Sequence, residues 1–238
     1  MTFIEVLAPG LFSTVQDRGR EGHGRLGISP AGAADTIALR LANRLAGNDD
    51  GAAAIEMTLL GGAFRFEGEA LFALAGCDLG ATLDGEALAP WTSRTARAAQ
   101  ILRCGVARSG ARAYLAVQGG IAVPSILGSA STHVPSGLGG LEGRVLRAGD
   151  RLPVGEVRPP AAPRRVNPTL LAGLAPRRTL RVTQGPQAER FAPEAWDLLM
   201  RTAYTVKEDS DRMGLRLRGA RMAQAPSGGM VTQGVPPG

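Results

Sequence analysis

Runs of apolar residues broken by glycine and proline divide this chain into many short segments, the pattern of a β-rich protein. Strand-like stretches fall at residues 3–7, 63–66, 71–75, 81–83, 100–103 and 113–117. Asp84-Gly85 sits between apolar flanks in LDGEAL and predicts a tight hairpin. One helix stands out after Asp35, an N-cap residue type: Ile37, Leu41 and Leu45 recur every four residues with Ala38 and Ala42 beside them, and Gly47-Asn48 supplies the stop. A second helix is expected from Pro193 through Trp196, Leu199 and Met200. Between them, residues 156–178 carry prolines at 159, 160, 163, 168 and 176 with no sustained alternation, which reads as a linker. The expected organisation is a first domain over 1–155, a linker over 156–178 and a second domain over 179–238.

The heptapeptide DTIALRL at 35–41 returns as DRMGLRL at 211–217, keeping the Asp and the Leu-Arg-Leu triplet in register. About twenty residues after each comes a turn-like block closing on glycine, EMTLLGG at 56–62 and TQGVPPG at 232–238. IEVLAPG at 4–10 and LRVTQGP at 180–186 are the corresponding upstream strand-and-turn pieces. This is the signature of an internal duplication. The first copy continues past Gly62 into an apolar strand pair with no counterpart after Gly238, so the second copy is expected to be incomplete.

Composition narrows the function. With 238 residues, 44% of them hydrophobic and 20% charged, the chain can bury a sizeable core. Its 33 glycines and 16 prolines favour short elements over a helical bundle. The formal net charge of +6 is almost entirely arginine, since Lys207 is the single lysine, and the arginines are scattered among only 4% aromatics. That distribution argues against a nucleic-acid surface. Cys77 and Cys104, with no secretory leader at the N-terminus, point to reduced thiols used as small apolar groups. No run approaches the length of a membrane span, and a cytoplasmic location is expected.

Several chemical signatures fail on context. Gly22-His23-Gly24-Arg25-Leu26-Gly27 matches the dinucleotide glycine pattern, but QDRGRE precedes it and Pro30 follows, where a strand and a helix are required. There is no phosphate-binding P-loop and no G-x-S-x-G elbow. His23 and His133 are the only histidines and neither has a second ligand at metal spacing, so no metal site is expected. Three polar clusters carry more content. VQDRGR places Gln16, Asp17 and Arg20 in a glycine-containing turn suited to holding a carboxylate or a urea-like amide. LEGR sets Glu142 and Arg144 in a second glycine-rich loop, and EDSDRMG sets Ser210, Asp211 and Arg212 before the second repeat core.

VQDRGR, PAGAADTIALRLANRLAGN (30–48), RAYLAVQGGIAVP (112–124), LGSAST (127–132), GGLEGRVLRAGDRLPVG (139–155), SDRMGLRLRG (210–219) and GVPPG (234–238) together resemble the biotin-dependent carboxyltransferase family. That family includes allophanate hydrolase subunit 2, the KipA proteins and the C subunit of 5-oxoprolinase. The resemblance runs the length of the chain in one order. It implies a mainly β fold with a few short helices, built as two cyclophilin-like β-barrel domains, in agreement with the duplication. Family members continue beyond GVPPG, which again leaves the second barrel incomplete here.

The resemblance further implies one component of a heteromeric enzyme that opens 5-oxoproline to glutamate at the expense of ATP, partnered by the KipI-like B subunit of 5-oxoprolinase, with an A subunit as a further partner. The alternatives are an allophanate hydrolase or urea carboxylase component of urea metabolism, and a KipA-type regulator that binds a KipI-like kinase inhibitor. Lys207 in TVKEDS lacks the setting of a biotinylated lysine, so ATP or carboxybiotin would come through partner chains. Asp17, Glu142 and Asp211 are the candidates for orienting or deprotonating a reacting nitrogen or water. Gln16, Arg20, Arg144, Ser210 and Arg212 are the candidates for gripping a small amide or lactam that bears a carboxylate.

Overall fold

Strand alternation explains how the first part of this chain is layered. In the computed structural model, residues 2–156, 162–174, 179–185, 187–210 and 214–224 are described. They fall in two compact units, Met1–Pro176 and Arg177–Gly238. The first contains β1 (Phe3–Ala8), β2 (Phe12–Gln16), α1 (Thr36–Leu45), β3 (Ala54–Thr58), β4 (Ala63–Phe66), β5 (Ala70–Asp78), β6 (Thr82–Leu83), β7 (Glu86–Ala87), β8 (Thr92–Ala96), β9 (Ile101–Arg103), β10 (Ser109–Val117), β11 (Arg151–Pro153) and α2 (Pro168–Gly173). The strands form one sheet in the order β11-β1-β4-β9-β6-β7 and another in the order β2-β3-β10-β5-β8, all neighbours antiparallel.

The main core lies between the two sheets. Ile4, Val6, Phe64, Phe66 and Leu102 come from the first, and Ile55, Met57, Phe72, Leu74, Leu115 and Val117 from the second. Intervening positions of β5 and β10 face the other way: Ala73, Ala75, Tyr114 and Ala116 pack with Ala38, Leu39, Ala42 and Leu45 of α1. β5 is therefore buried on both faces, which is why ALFALAG reads as a continuous apolar run.

Asp35 caps α1, its side chain accepting from the Ala38 N–H at 2.9 Å. The buried face of the helix is rotated from the expected Ile37/Leu41/Leu45 stripe: Ala38, Leu39, Ala42, Asn43 and Leu45 are buried, and Ile37 is 52% exposed. Small residues face small residues here, so the helix approaches the sheet on its alanine side and leaves Ile37 in solvent. The Asp84-Gly85 hairpin forms as expected, with both residues at positive φ and Leu83 opposite Glu86. EMTLLGG is only half turn. Glu56 to Thr58 complete β3, and the turn begins at Leu59, whose φ is +57°.

Part of the proline-rich stretch is built into the first unit. Ser93 N–H donates to the Arg164 carbonyl at 2.8 Å, Val166 N–H to the Trp91 carbonyl at 3.0 Å, and Val166 is buried. The second unit holds α3 (Glu194–Arg201), reached through Pro193 as expected, and a two-stranded ribbon of β12 (Thr205–Val206) and β13 (Leu217–Arg218). The repeated heptapeptides do not share a conformation. Residues 36–41 are helical, whereas Leu217 enters a strand and residues 214–216 have no regular structure. Gly214 stands where the first copy has Ala38, and Leu-Arg-Leu-Arg then alternates with period two, which suits a ribbon. Residues 232–238 of the second copy lie outside the described residues. The fold is mainly β with three α-helices among the described residues.

Candidate functional site

β2 delivers Gln16 at its end, and the chain then turns through Asp17, Arg18, Gly19 and Arg20. This turn is clamped from two sides. Arg20 N–H donates to the Pro30 carbonyl at 2.8 Å and Ala33 N–H to the Asp17 carbonyl at 2.9 Å. At Gly19, with φ +94°, a Cβ would press on the Pro30 carbonyl oxygen, so the crossing of these segments requires glycine.

Asp17 is the hub. One carboxylate oxygen accepts from Gly19 N–H at 2.7 Å, Ser129 Oγ at 2.6 Å and Ser131 Oγ at 2.5 Å, while the other accepts from Ala130 N–H at 2.6 Å. Its own N–H donates to Ser131 Oγ at 2.9 Å. Burial by itself would raise the carboxyl pKa, but the hydrogen bonds from Ser129, Ser131, Gly19 and Ala130 prevail and hold it below the ordinary aspartate value. The group is thus an anion locked into a loop-to-loop joint.

Arg20 is 1% exposed. Its Nε donates to the Ile126 carbonyl at 3.5 Å and its Nη2 to the Ser131 carbonyl, while Nη1 is buried with no hydrogen-bond partner. Gln16 has a complementary defect. Its Nε2 donates to Thr14 Oγ1 and the Thr132 carbonyl, both at 3.0 Å, and its buried Oε1 accepts nothing. Over this pair lies the 137–143 segment: a Cβ on Gly139 would overlap the Ser131 carbonyl and press on Arg20 Nη2, and one on Gly140 would overlap Thr132 Oγ1. A buried donor on a cation and a buried acceptor on an amide, both unfilled, are what an amide or carboxylate-bearing ligand could complete.

Glu142 and Arg144 belong to a different network. Arg144 forms a fork on Asp150, with Nη1–Oδ2 at 2.8 Å and Nη2–Oδ1 at 2.9 Å, and its Nε donates to Glu142 Oε2 at 3.0 Å. Asp150 also accepts from Arg147 N–H at 2.7 Å, and the Arg144 guanidinium holds its carboxyl below the usual range. Arg144 is committed to this pair, and the Glu142 side chain is 71% exposed. In the second unit, Ser210 closes the β12–β13 ribbon: its Oγ accepts from Arg216 N–H at 2.9 Å and donates to the Arg216 carbonyl at 3.3 Å. Asp211 and Arg212 lie outside the described residues.

A buried network that the sequence did not announce stands behind α1. Glu56 Oε2 accepts from Tyr114 Oη at 2.7 Å and from Ala34 N–H at 2.9 Å, and Tyr114 Oη accepts from Asp35 N–H at 2.7 Å. Arg112 Nε stands 3.7 Å from Glu56 Oε1. Burial, then the Glu56 charge, push the Tyr114 phenol well above its usual pKa. The network ties the 30–35 segment, which also grips the Asp17 turn, to the sheet. The thiols offer no nucleophile: burial raises Cys77 to about 11 and Cys104 to about 12.

Two clefts lie elsewhere among the described residues. One of about 600 Å³ lies beside Asn48, Gln118 and Gly119, where the Asn48 amide is spent on Asn43, the Val117 carbonyl and Gly119 N–H. Another of about 980 Å³ in the second unit is lined by Phe191, Trp196, Leu199 and Met222 among others. Among the described residues no cluster of His, Cys, Asp or Glu could hold a metal ion, and no helix is long and apolar enough to cross a membrane. The Gly22–Gly27 run forms an exposed 3₁₀ turn at Gly24–Leu26.

Comparison with known proteins gives the family. The carboxyltransferase domain, subdomain A and B, matches residues 26–238. The chain is 38% identical over 237 residues to the C subunit of 5-oxoprolinase from Escherichia coli K12, an alignment covering 99% of this chain and 74% of that protein. It is 36% identical over 237 residues to urea amidolyase of Saccharomyces cerevisiae, covering 96% of this chain but 13% of the yeast protein. The crystal structure of the K. lactis urea amidolyase superposes with a TM-score of 0.82 at 34% identity, over 93% of this chain and 14% of that one. The chain thus spans about three quarters of the E. coli protein and a small part of the amidolyases.

Proposed function

The chain belongs to the carboxyltransferase domain family, subdomains A and B, and on that premise we propose that it serves as the C subunit of a 5-oxoprolinase-type enzyme. In this reading it acts inside a multi-subunit, cytoplasmic assembly with a KipI-like B subunit, completed by an A subunit, opening 5-oxoproline to glutamate while ATP is hydrolysed. ATP is handled by the partner chains.

The observation that carries the reading is the buried pair of unfilled groups, Arg20 Nη1 and Gln16 Oε1. A lactam presents a carbonyl acceptor and an N–H donor, the two functions these side chains lack. Arg20 holds the carbonyl or the carboxylate, polarising it in a site with little water, and Gln16 accepts the ring N–H. Asp17 is a positioning residue, since its lone pairs are already filled by four donors. Glu142, exposed on the neighbouring loop, is the group of the first unit available to move a proton. Gly139 lies against Arg20, where a Cβ would press on the guanidinium.

The likeness to urea amidolyases supports a second reading, in which the same amide pocket takes urea and a carboxyl group delivered on biotin by another chain. Co-expression with the adjacent-gene partners, followed by 5-oxoproline-dependent and urea-dependent ATP hydrolysis, separates the two. Arg20→Gln should lower kcat/KM about 10- to 100-fold with the assembly intact. A complete, well-folded assembly that consumes no ATP with 5-oxoproline removes the leading reading.

A further inference from the structure

The layer between α1 and its sheet is built from small and aliphatic groups: Ala38, Leu39 and Ala42 of the helix meet Ala54, Ala73, Ala75 and Ala116 of the strands. One carboxylate is sunk beside them. Glu56, two residues after Ala54 on the same face of β3, is 1% exposed, and Tyr114, opposite it in register on β10, is 0% exposed. Burying a carboxylate carries a desolvation cost that an apolar side chain of similar size would avoid. What the pair holds in place accounts for its presence.

The pair fastens a strap that leads to the Asp17 turn. Three consecutive N–H groups anchor it: Ala33 donates to the Asp17 carbonyl at 2.9 Å, Ala34 to Glu56 Oε2 at 2.9 Å and Asp35 to Tyr114 Oη at 2.7 Å. Tyr114 Oη itself donates to Glu56 Oε2 at 2.7 Å, so the two side chains act as one fixed acceptor. At the other end of the strap the Pro30 carbonyl accepts the Arg20 N–H at 2.8 Å. Between these anchors Ala31 and Gly32 are left-handed, at φ +50° and +86°, and a Cβ on Gly32 would press on the Arg18 carbonyl oxygen. The strap therefore has no regular structure of its own and takes its position from what it is tied to.

The bonds from Ser129, Ala130 and Ser131 fix Asp17, whereas the backbone N–H of Arg20 is held by the strap. We infer that Glu56 and Tyr114 are positioning residues of the site: they touch no substrate and act by fixing, through residues 30–35, the point from which the Arg20 guanidinium is presented. The inference rests on the reading of Arg20 as the group that grips a lactam or amide.

The test uses the assembly with the adjacent-gene KipI-like partner. Tyr114→Phe removes the acceptor for the Asp35 N–H and keeps the ring, and should lower kcat/KM for 5-oxoproline-dependent ATP hydrolysis about tenfold. In an Arg20→Gln background the same change should lower it by less than about twofold, because the pair acts through Arg20. Glu56→Gln keeps an oxygen for the Ala34 N–H and Tyr114 Oη and should stay within about threefold of the parent, whereas Glu56→Leu should lose at least as much as Tyr114→Phe. Tyr114→Phe, the milder change, decides if Glu56→Leu does not fold. Leu39→Val, in the same layer but off the strap, should lower the thermal midpoint and leave kcat/KM as it is. Amide exchange read by mass spectrometry needs no substrate: Tyr114→Phe should speed exchange over residues 17–20, and Leu39→Val should not. Unchanged kcat/KM with unchanged exchange over 17–20 in Tyr114→Phe overturns the positioning role and leaves the functional reading standing. So does a loss in Tyr114→Phe that is fully additive with that of Arg20→Gln. An unaltered, well-folded assembly that consumes no ATP with either 5-oxoproline or urea overturns the functional reading, and the role of the pair falls with it.

Discussion

Replacement of Asp17 tests the account of the site most directly. Four donors converge on this carboxylate at 2.5–2.7 Å. In Asp17→Ala the Ser129 and Ser131 hydroxyls can rotate toward other acceptors, but the Gly19 and Ala130 N–H groups cannot. Two stranded amides at about 1–3 kcal/mol each give an expected loss of about 4 kcal/mol. Asp17→Asn keeps one acceptor oxygen and turns an NH₂ toward a donor, for a loss of about 2 kcal/mol. The pH dependence has a definite sign. The folded carboxyl titrates below its ordinary value, so its stabilisation is complete above the unfolded pKa, near about 3.9, and is lost as pH falls through the folded one. Urea unfolding at pH 7 and at a series of values below 4 measures both effects. Asp17→Ala within about 0.5 kcal/mol of the unaltered protein at pH 7 would refute the hub. So would an acid-side decline in Asp17→Asn as steep as in the parent.

Other outcomes follow from the same contacts. The phenol of Tyr114 is raised, so its stabilisation is intact below the free-tyrosine value of about 10 and is lost as pH rises. An alkaline absorbance titration should show Tyr114 ionising only on unfolding, and Tyr114→Phe should lose about 1–2 kcal/mol at pH 7. Gly139→Ala combines a φ of +68° with overlap on the Ser131 carbonyl, and should lower stability by about 2–4 kcal/mol in chemical unfolding. Cys77 and Cys104, at about 11 and about 12, should react with a disulfide reagent at pH 8 only as fast as the protein opens, and urea should accelerate both together.

The strands that the sequence revealed are those whose burial is carried by apolar residues, such as AFRF in β4 and ALFALAG in β5. FSTVQ, AIEMT, TSRTA and RLP escaped notice because polar residues sit in them at buried or paired positions: Ser13, Thr14, Gln16, Glu56 and Ser93 are all buried. Their hydrogen bonds stand in for hydrophobicity, and no hydropathy pattern records that. The Gln16/Asp17/Arg20 turn was visible as a polar cluster next to glycine. Its completion by Ser129 and Ser131 was not, since it joins loops more than a hundred residues apart. Glu56 and Tyr114, 58 residues apart in neighbouring strands, are legible only once β3 and β10 are paired.

The joint between residue 17 and residues 129–131 sets the order in which this protein can come into being. A ribosome releasing the chain from its amino end has to deliver more than half of it before the anion at position 17 meets its hydroxyl and amide donors. Until then the β2 turn carries an unshielded charge and an arginine without a home, so nascent intermediates shorter than that are incapable of closing this joint.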